Sequence, residues 1–211
     1  IHEQSRRHHG PFIKVDCASM PPEQFDSEFF GQAVGALPGV THEQAGRLEQ
    51  ADRGTLFLDQ VEEVPPALQA KLLRPLQDAT FERVGDGRTR RADVRFIAAT
   101  NRDLAEKVAD GGFRRDLYFR LSVFPIKVPP LRDRPEDIPV LVEHFLAAHA
   151  AAVAQRVTHL QLEHLQQYDW PGNVRELQNL VKRALILSGD GPLRLDEALP
   201  SSAISYPARA P

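Results

Sequence analysis

One cysteine, one methionine and one tryptophan in 211 residues leave little material for several kinds of chemistry. A lone Cys17 cannot close an internal disulfide, so no disulfide framework holds the fold, and a single thiol suits a reducing cytosol. No run approaches the roughly 18 apolar residues that a membrane-spanning helix needs. The opening IHEQSRRHHG has no apolar core of the kind a secretory leader carries. Neither sign of charge dominates: 26 Lys and Arg face 29 Asp and Glu, a net charge of −3. That balance argues against bulk attraction to nucleic acid and leaves only local basic patches. Position 1 is not Met, which predicts a domain excised from a longer protein. What remains is ordinary globular composition, 42% hydrophobic and 26% charged, in a chain long enough for one larger and one smaller domain.

Along the chain, PFIKVD (11–16) reads as a short strand and PPEQFDSEFF (21–30) as a helix with proline in its first turn. GQAVGALPGV (31–40), with three glycines and a proline, is a mobile loop, and EQAGRLEQAD (43–52) a second short helix. The strand TLFLD follows, then the helix PPALQAKLLRPLQDA (65–79), with Leu68, Leu72 and Leu76 along one face. Residues 80–101 give a hairpin turning at GDG and running into the apolar strand VRFIAAT. Apolar strands alternating with helices predict an α/β fold with a parallel sheet covered on both sides. Four prolines in 124–138 form a stiff connector to helices at 138–154, 158–168 and 173–188, the last opened by a capping box of Asn173 and Glu176. The reading is an α/β domain at 1–133, a small helical domain at 134–200, and the start of a linker at 201–211.

Asp59 ends the strand TLFLD, and the carboxyl edge of a parallel sheet is where such folds bind ligands. A carboxylate there can hold the water shell of Mg²⁺. The next strand ends in ATN, which brings Thr100 and Asn101 to the same edge. A strand that merely happens to end in an acid is the competing reading. His144 and His149, like His159 and His164, are five apart, so neither pair shares a helix face, and all four read as solvent-facing.

GPFIKVDCA, SEFFG, GTLFLD, LQAKLL, FERVGDGRTRRADVRFIAATNRDL, FRRDLYFRLSVFPI, PPLRDRPEDIP and WPGNVREL occur in that order. In order and content they resemble the AAA+ ATPase domain of bacterial enhancer-binding activators that depend on sigma-54, over nearly the whole chain. The resemblance implies a P-loop-type parallel sheet sandwiched by helices and followed by an all-helical lid. It implies ATP or ADP with Mg²⁺ as ligands, Asp59 as the Walker B acid, and Asn101 as the first sensor of the γ-phosphate. Arg114 and Arg120 match the arginine fingers inserted into a neighbour's site, and Arg175 the second sensor on the lid. For all three arginines, surface ion pairing with Asp116, Glu176 or similar groups is the alternative. Family partners are other copies in a hexameric or heptameric ring, RNA polymerase holoenzyme, and DNA through a C-terminal helix-turn-helix that does not occur here.

Three departures qualify that picture. None of the five lysines follows a glycine, so the phosphate-binding G-x-x-x-x-G-K is missing; in the family it lies just upstream of Ile1, and truncation explains its absence. Where the family has Glu after the Walker B acid there is Gln60, and where it has Asn in NCA there is Asp16. An amide accepts no proton, so hydrolysis is expected to weaken, while a carboxylate–amide hydrogen bond between Asp16 and Gln60 survives with its ends reversed. The sigma-54 loop GAFTGA becomes Gly35, Ala36, Leu37, Pro38, Gly39 and Val40, in which Pro38 removes the hydroxyl and a backbone donor, predicting impaired contact with sigma-54. Pro75 inside the 65–79 helix predicts a kink or a cost of ~3 kcal/mol. Three functions stay open: a nucleotide-binding regulatory module with weak hydrolysis, an ATPase that uses Asp16, Glu62 or Glu63 in place of the missing Glu, and an assembly module without ligand.

Overall fold

The computed structural model describes residues 1–36, 41–148, 157–189 and 191–199. The chain divides into two compact units, Ile1–Pro125 and a second beginning at Ile126.

The first unit is organised by three parallel strands in the order β1 (Phe12–Asp16), β4 (Thr55–Asp59), β7 (Arg95–Ala98). Between β1 and β4 run α1 (Pro22–Phe30), the two-residue strands β2 (Gly31–Gln32) and β3 (Gln44–Ala45), and α2 (Arg47–Gln50). After β4 come α3 (Pro66–Asp78) and the antiparallel pair β5 (Thr80–Phe81) and β6 (Arg90–Arg91). Beyond β7 lie α4 (Leu104–Ala109) and α5 (Arg115–Leu121).

Side chains alternate across the strands. Val15, Leu56 and Leu58 face one way into a core with Phe25, Phe29, Leu48, Leu72 and Leu117. The other face carries Phe12, Phe57 and Ile97, and there Phe12 keeps 49% of its surface exposed. These three line a groove of about 420 Å³ together with Ile1, His2 and Glu3. Register sets the functional edge: Asp16 stands beside Asp59, while Cys17 N–H donates to Asp59 O and Val61 N–H to Ala99 O, at 3.0 Å each. Gly54 leads into β4 so close to Pro11 that a Cβ would lie 2.0 Å from its carbonyl oxygen.

The helix expected over 43–52 is shorter, and its first residues are strand. Gln44 pairs with Gln32, and α2 starts only at Arg47. Gly46 is the reason: a Cβ there would meet Gly31 N at 2.3 Å and Phe29 O at 2.4 Å, so the chain must pass against α1's exit before it can coil. Arg83 secures this corner, with two nitrogens on Glu49 at 2.6 and 2.8 Å and a third on Glu43 at 2.6 Å. In α3, Pro75 is buried and the helix runs through it to Asp78. The proline lies in the last turn, so the N–H it lacks deprives only the Lys71 carbonyl of its partner and little helix follows to be disturbed.

The second unit is helical: α6 (Asp137–Ala147), α7 (His159–Gln167), α8 (Asn173–Ser188) and α9 (Leu195–Ala198). They close over Leu131, Ile138, Val142, Leu165, Trp170, Leu177 and Val181, all with no exposed surface. The helix expected over 138–154 spans Asp137–Ala147; residues 149–156 lie outside those described, as does the linker reading at 201–211. The capping box expected at Asn173 and Glu176 is replaced by another arrangement. Gly172 is the N-cap, Asn173 is left-handed at φ 52°, and its Oδ1 accepts from Leu131 N at 2.9 Å, a tertiary bond that takes the side chain away from its own helix. Glu176 still reaches back, accepting from Gly172 N at 2.8 Å. A true capping box opens α7 instead, where Thr158 and Gln161 exchange hydrogen bonds. His144 and His159 are exposed, but His164 is half-buried beside Leu165, which corrects its solvent-facing assignment; His149 is outside the described residues.

Candidate functional site

The ends of β1, β4 and β7 assemble one polar edge. Asp59 closes β4 with its carboxylate 30% exposed, and Oδ2 forms an ion pair with Lys14 Nζ at 2.9 Å. Gln60 follows in the left-handed region at φ 54°, strained for a residue with a Cβ. That turn aims its amide at β1, and Nε2 donates to Asp16 Oδ1 at 3.4 Å. Asp16 Oδ1 also accepts from Ala18 N at 3.1 Å. Asp16 and Gln60 therefore meet, as the swapped pair of side chains predicts.

A single turn of 3-10 helix, Val61–Glu63, carries two more acids. Glu62 is 3% exposed; its Oε1 accepts from Asn101 N at 3.3 Å and its Oε2 has no hydrogen-bond partner. Glu63 is paired outward, with Lys107 at 3.9 Å and Arg102 at 4.0 Å. Asn101 is exposed at the end of β7, and Thr100 Oγ1 closes a local turn with Arg102. Beneath the edge, burial first and then the charges of Asp16, Asp59 and Glu62 push the Cys17 thiol up to about 12, so it stays protonated.

The edge suits a hydrated divalent cation, because a half-exposed carboxylate at a sheet terminus can take the water shell of Mg²⁺. Among the described residues no group of three or more His, Cys, Asp or Glu could hold a metal ion, so such a cation would rest on Asp59 and water. The residues present fit a hydrated divalent cation at Asp59.

Arg114 and Arg120 stand at the two ends of α5, both exposed. Each is already engaged. Arg114 forks onto Asp116 at 3.1 and 2.8 Å, and that hydrogen bonding holds the Asp116 carboxyl below its ordinary value. Arg120 puts Nε and Nη2 on Leu76 O, at the end of α3, at 3.0 and 2.8 Å. Arg175 is exposed on the first turn of α8, and Glu176 bonds Gly172 and Tyr168 rather than Arg175. Of the loop singled out in the sequence, Gly35 is left-handed at φ 75° and Ala36 N–H donates to Ala33 O at 3.2 Å. Leu37, Pro38, Gly39 and Val40 lie outside the described residues.

Sequence reasoning missed Gln69. It is 1% exposed on α3; its Nε2 donates to Val64 O and Gly112 O at 3.1 and 3.2 Å, and its Oε1 accepts from Arg114 N at 2.8 Å. One buried amide thus ties the segment after β4 to the backbone of Arg114. A polar residue beside the apolar stripe of α3 was the available signal, but helical periodicity names no tertiary partner. Lys14 was missed because it was considered only as a phosphate-loop lysine.

Residues 1–127 match the family model described as the Sigma-54 interaction domain, and residues 132–208 the AAA+ ATPase lid domain. The chain belongs to the sigma-54 interaction domain family, with an AAA+ lid. It is 48% identical over 204 residues to the phenol regulator MopR of Acinetobacter guillouiae, covering 95% of this chain and 36% of that protein. It also resembles the solved structure of NtrX from Brucella abortus in complex with ADP, at TM-score 0.86 and 41% identity, covering all of this chain and 47% of that one. NtrX in complex with ATP matches at TM-score 0.82 and 40% identity over 96% of this chain and 47% of that one. This sigma-54 interaction domain spans about a third of the length of the curated relatives it matches. The relatives are bacterial transcription regulators, and the α/β AAA+ fold with a helical lid is the one they share with it. Among the described residues no helix is long and apolar enough to cross a membrane.

Proposed function

We propose that this domain is the nucleotide-responsive module of a sigma-54-type transcription regulator, one that grips a nucleoside triphosphate better than it cleaves it. Gln60 carries the reading: an amide, bonded to Asp16, stands where a water-activating carboxylate is needed. Replacing a general base by a group that accepts no proton removes about 10²–10⁴-fold in rate. Asp59 would hold hydrated Mg²⁺, which compensates charge on the phosphates, and Asn101 would report the terminal phosphate. NtrX, bound to ADP or ATP in its solved structures, supports ligands of this class.

Assembly into a hexameric or heptameric ring would bring Arg114 and Arg120 to a neighbour's nucleotide, where guanidinium groups stabilise charge on a transferring phosphoryl group. Arg175 would act from the lid. RNA polymerase is the downstream target, with sigma-54 contact weakened by Pro38, and DNA is bound through a helix-turn-helix elsewhere in the full-length protein. Calorimetric titration of the full-length protein with ATP, alongside phosphate release, tests the reading. Micromolar binding with slow turnover, raised about 100-fold or more by Gln60→Glu, is expected. Turnover that is fast in the parent and unchanged by Gln60→Glu would refute it.

A second reading rests on Glu62. Its Oε2 is buried without a hydrogen-bond partner at the same edge, which favours an ATPase in which this carboxylate replaces the missing Glu. In that case Glu62→Gln, and not Gln60→Ala, abolishes turnover.

A further inference from the structure

Asp59 is paired before any metal arrives. Lys14 and Asp59 lie on the same face of neighbouring strands; Lys14 is in register with Phe57, and Asp16 with Asp59. Lys14 is therefore a diagonal neighbour of Asp59, within reach of a long side chain. Its ammonium lies 5.7 Å from the centroid of the Phe57 ring and 2.9 Å from Asp59 Oδ2. The aromatic ring and the carboxylate together direct the cation along the sheet to the strand's end. The pair is only partly covered, with side chains 56% and 30% exposed, so the ammonium is held without being locked in.

The need for that cation is local. Asp16 and Asp59 stand side by side in register and Glu62 follows in the next turn, whereas the carboxylate that Lys107 and Arg102 approach, at 3.9–4.0 Å, is that of Glu63. We infer that Lys14 is a resident competitor for the Asp59 carboxylate, neutralising it when no divalent cation is bound and yielding it when one arrives. This deepens the nucleotide reading by making metal occupancy conditional on a lysine's departure, and it rests on Asp59 being the metal-bearing acid. A compact ammonium on a flexible four-carbon stem is suited to this exchange, whereas a planar guanidinium would hold the carboxylate more tightly.

Metal binding alone tests it. Mn²⁺ is titrated into the full-length protein without nucleotide, and free Mn²⁺ is followed by its paramagnetic signal. Lys14→Met, which keeps an apolar stem over Phe57, is expected to bind Mn²⁺ about 3- to 10-fold more tightly at low ionic strength, the gap shrinking as salt screens the charges. Lys14→Arg should bind no tighter than the parent. Adding Asp59→Asn to Lys14→Met should erase the gain. Equal or weaker binding by Lys14→Met, no Mn²⁺ binding by it at all, equal tightening by Lys14→Arg, or a gain that survives Asp59→Asn would each overturn the inference. Because nucleotide is absent from the titration, these results are independent of whether ATP binds, which calorimetry decides separately.

Discussion

Two polar regions of this molecule are built from the same residue types to different tolerances. Around Trp170 in the second unit, contacts are short and complete. The indole donates to Leu165 O at 2.7 Å, Asn173 accepts from Leu131 at 2.9 Å, and Glu176 takes both Gly172 N at 2.8 Å and Tyr168 Oη at 3.1 Å. At the strand edge of the first unit, the side-chain contacts linking one strand end to another are long. Gln60 meets Asp16 at 3.4 Å, the Glu62 carboxylate meets Asn101 N at 3.3 Å, and its other oxygen meets nothing; the Lys14–Asp59 pair at 2.9 Å is the exception. Both regions hold residues at positive φ, Trp170 and Asn173 in one and Gln60 in the other. In the first case packing and full hydrogen bonding over-determine the strain, while at the edge little does. A satisfied polar cluster specifies a shape, and an under-satisfied one at a sheet terminus leaves bonding capacity for a ligand.

That contrast can be broken most directly at Trp170. Its ring is fully buried, so Trp170→Ala should destabilise the helical unit by ~3–5 kcal/mol. Urea denaturation followed by far-ultraviolet dichroism would show an early helical transition; an unchanged midpoint would mean the cluster is not what holds the unit together. The matched pair Glu176→Met and Glu62→Met sharpens the comparison. Losing Glu176 leaves the Gly172 N–H and the Tyr168 hydroxyl unpaired and should cost ~2 kcal/mol, whereas exchanging the half-bonded Glu62 for an apolar chain of similar length should cost nothing or add up to ~1 kcal/mol. Equal losses in the two variants would erase the distinction.

Cys17 offers the smallest and most local probe. Its thiol ordinarily ionises at 9.0 and in the fold is pushed to about 12, chiefly by burial. A raised pKa gives stability that is fully present below pH 9 and is lost as pH climbs toward 12, because the unfolded chain releases the proton first. Between pH 9.5 and 10.5 the parent should lose about 1.4 kcal/mol per pH unit more than Cys17→Ala. Identical pH slopes for the two proteins would show that the thiol does not feel the edge.

The backbone plan was largely legible, and for identifiable reasons. The apolar runs ending in Asp16, Asp59 and Asn101 declare strands with polar termini, and the spacing of Leu68, Leu72 and Leu76 declares a helix with one buried side. The hidden parts depend on distant partners. Gly46 shortens α2 because it presses on the exit of α1, which no local pattern around 43–52 records. Asn173 looks like a cap in one dimension, but Leu131, 42 residues earlier, claims its side chain. Gln69 and Lys14 are ordinary polar residues until the strands and helices bring Arg114 and Asp59 to them.

Arg120 spends both of its forward nitrogens on the last turn of α3. Nη1 takes no part in that contact, so one side of the guanidinium fork bolts the helix end. Losing that bolt would unfasten the stretch from Leu76 to Asp78, a local fraying that amide hydrogen exchange can time.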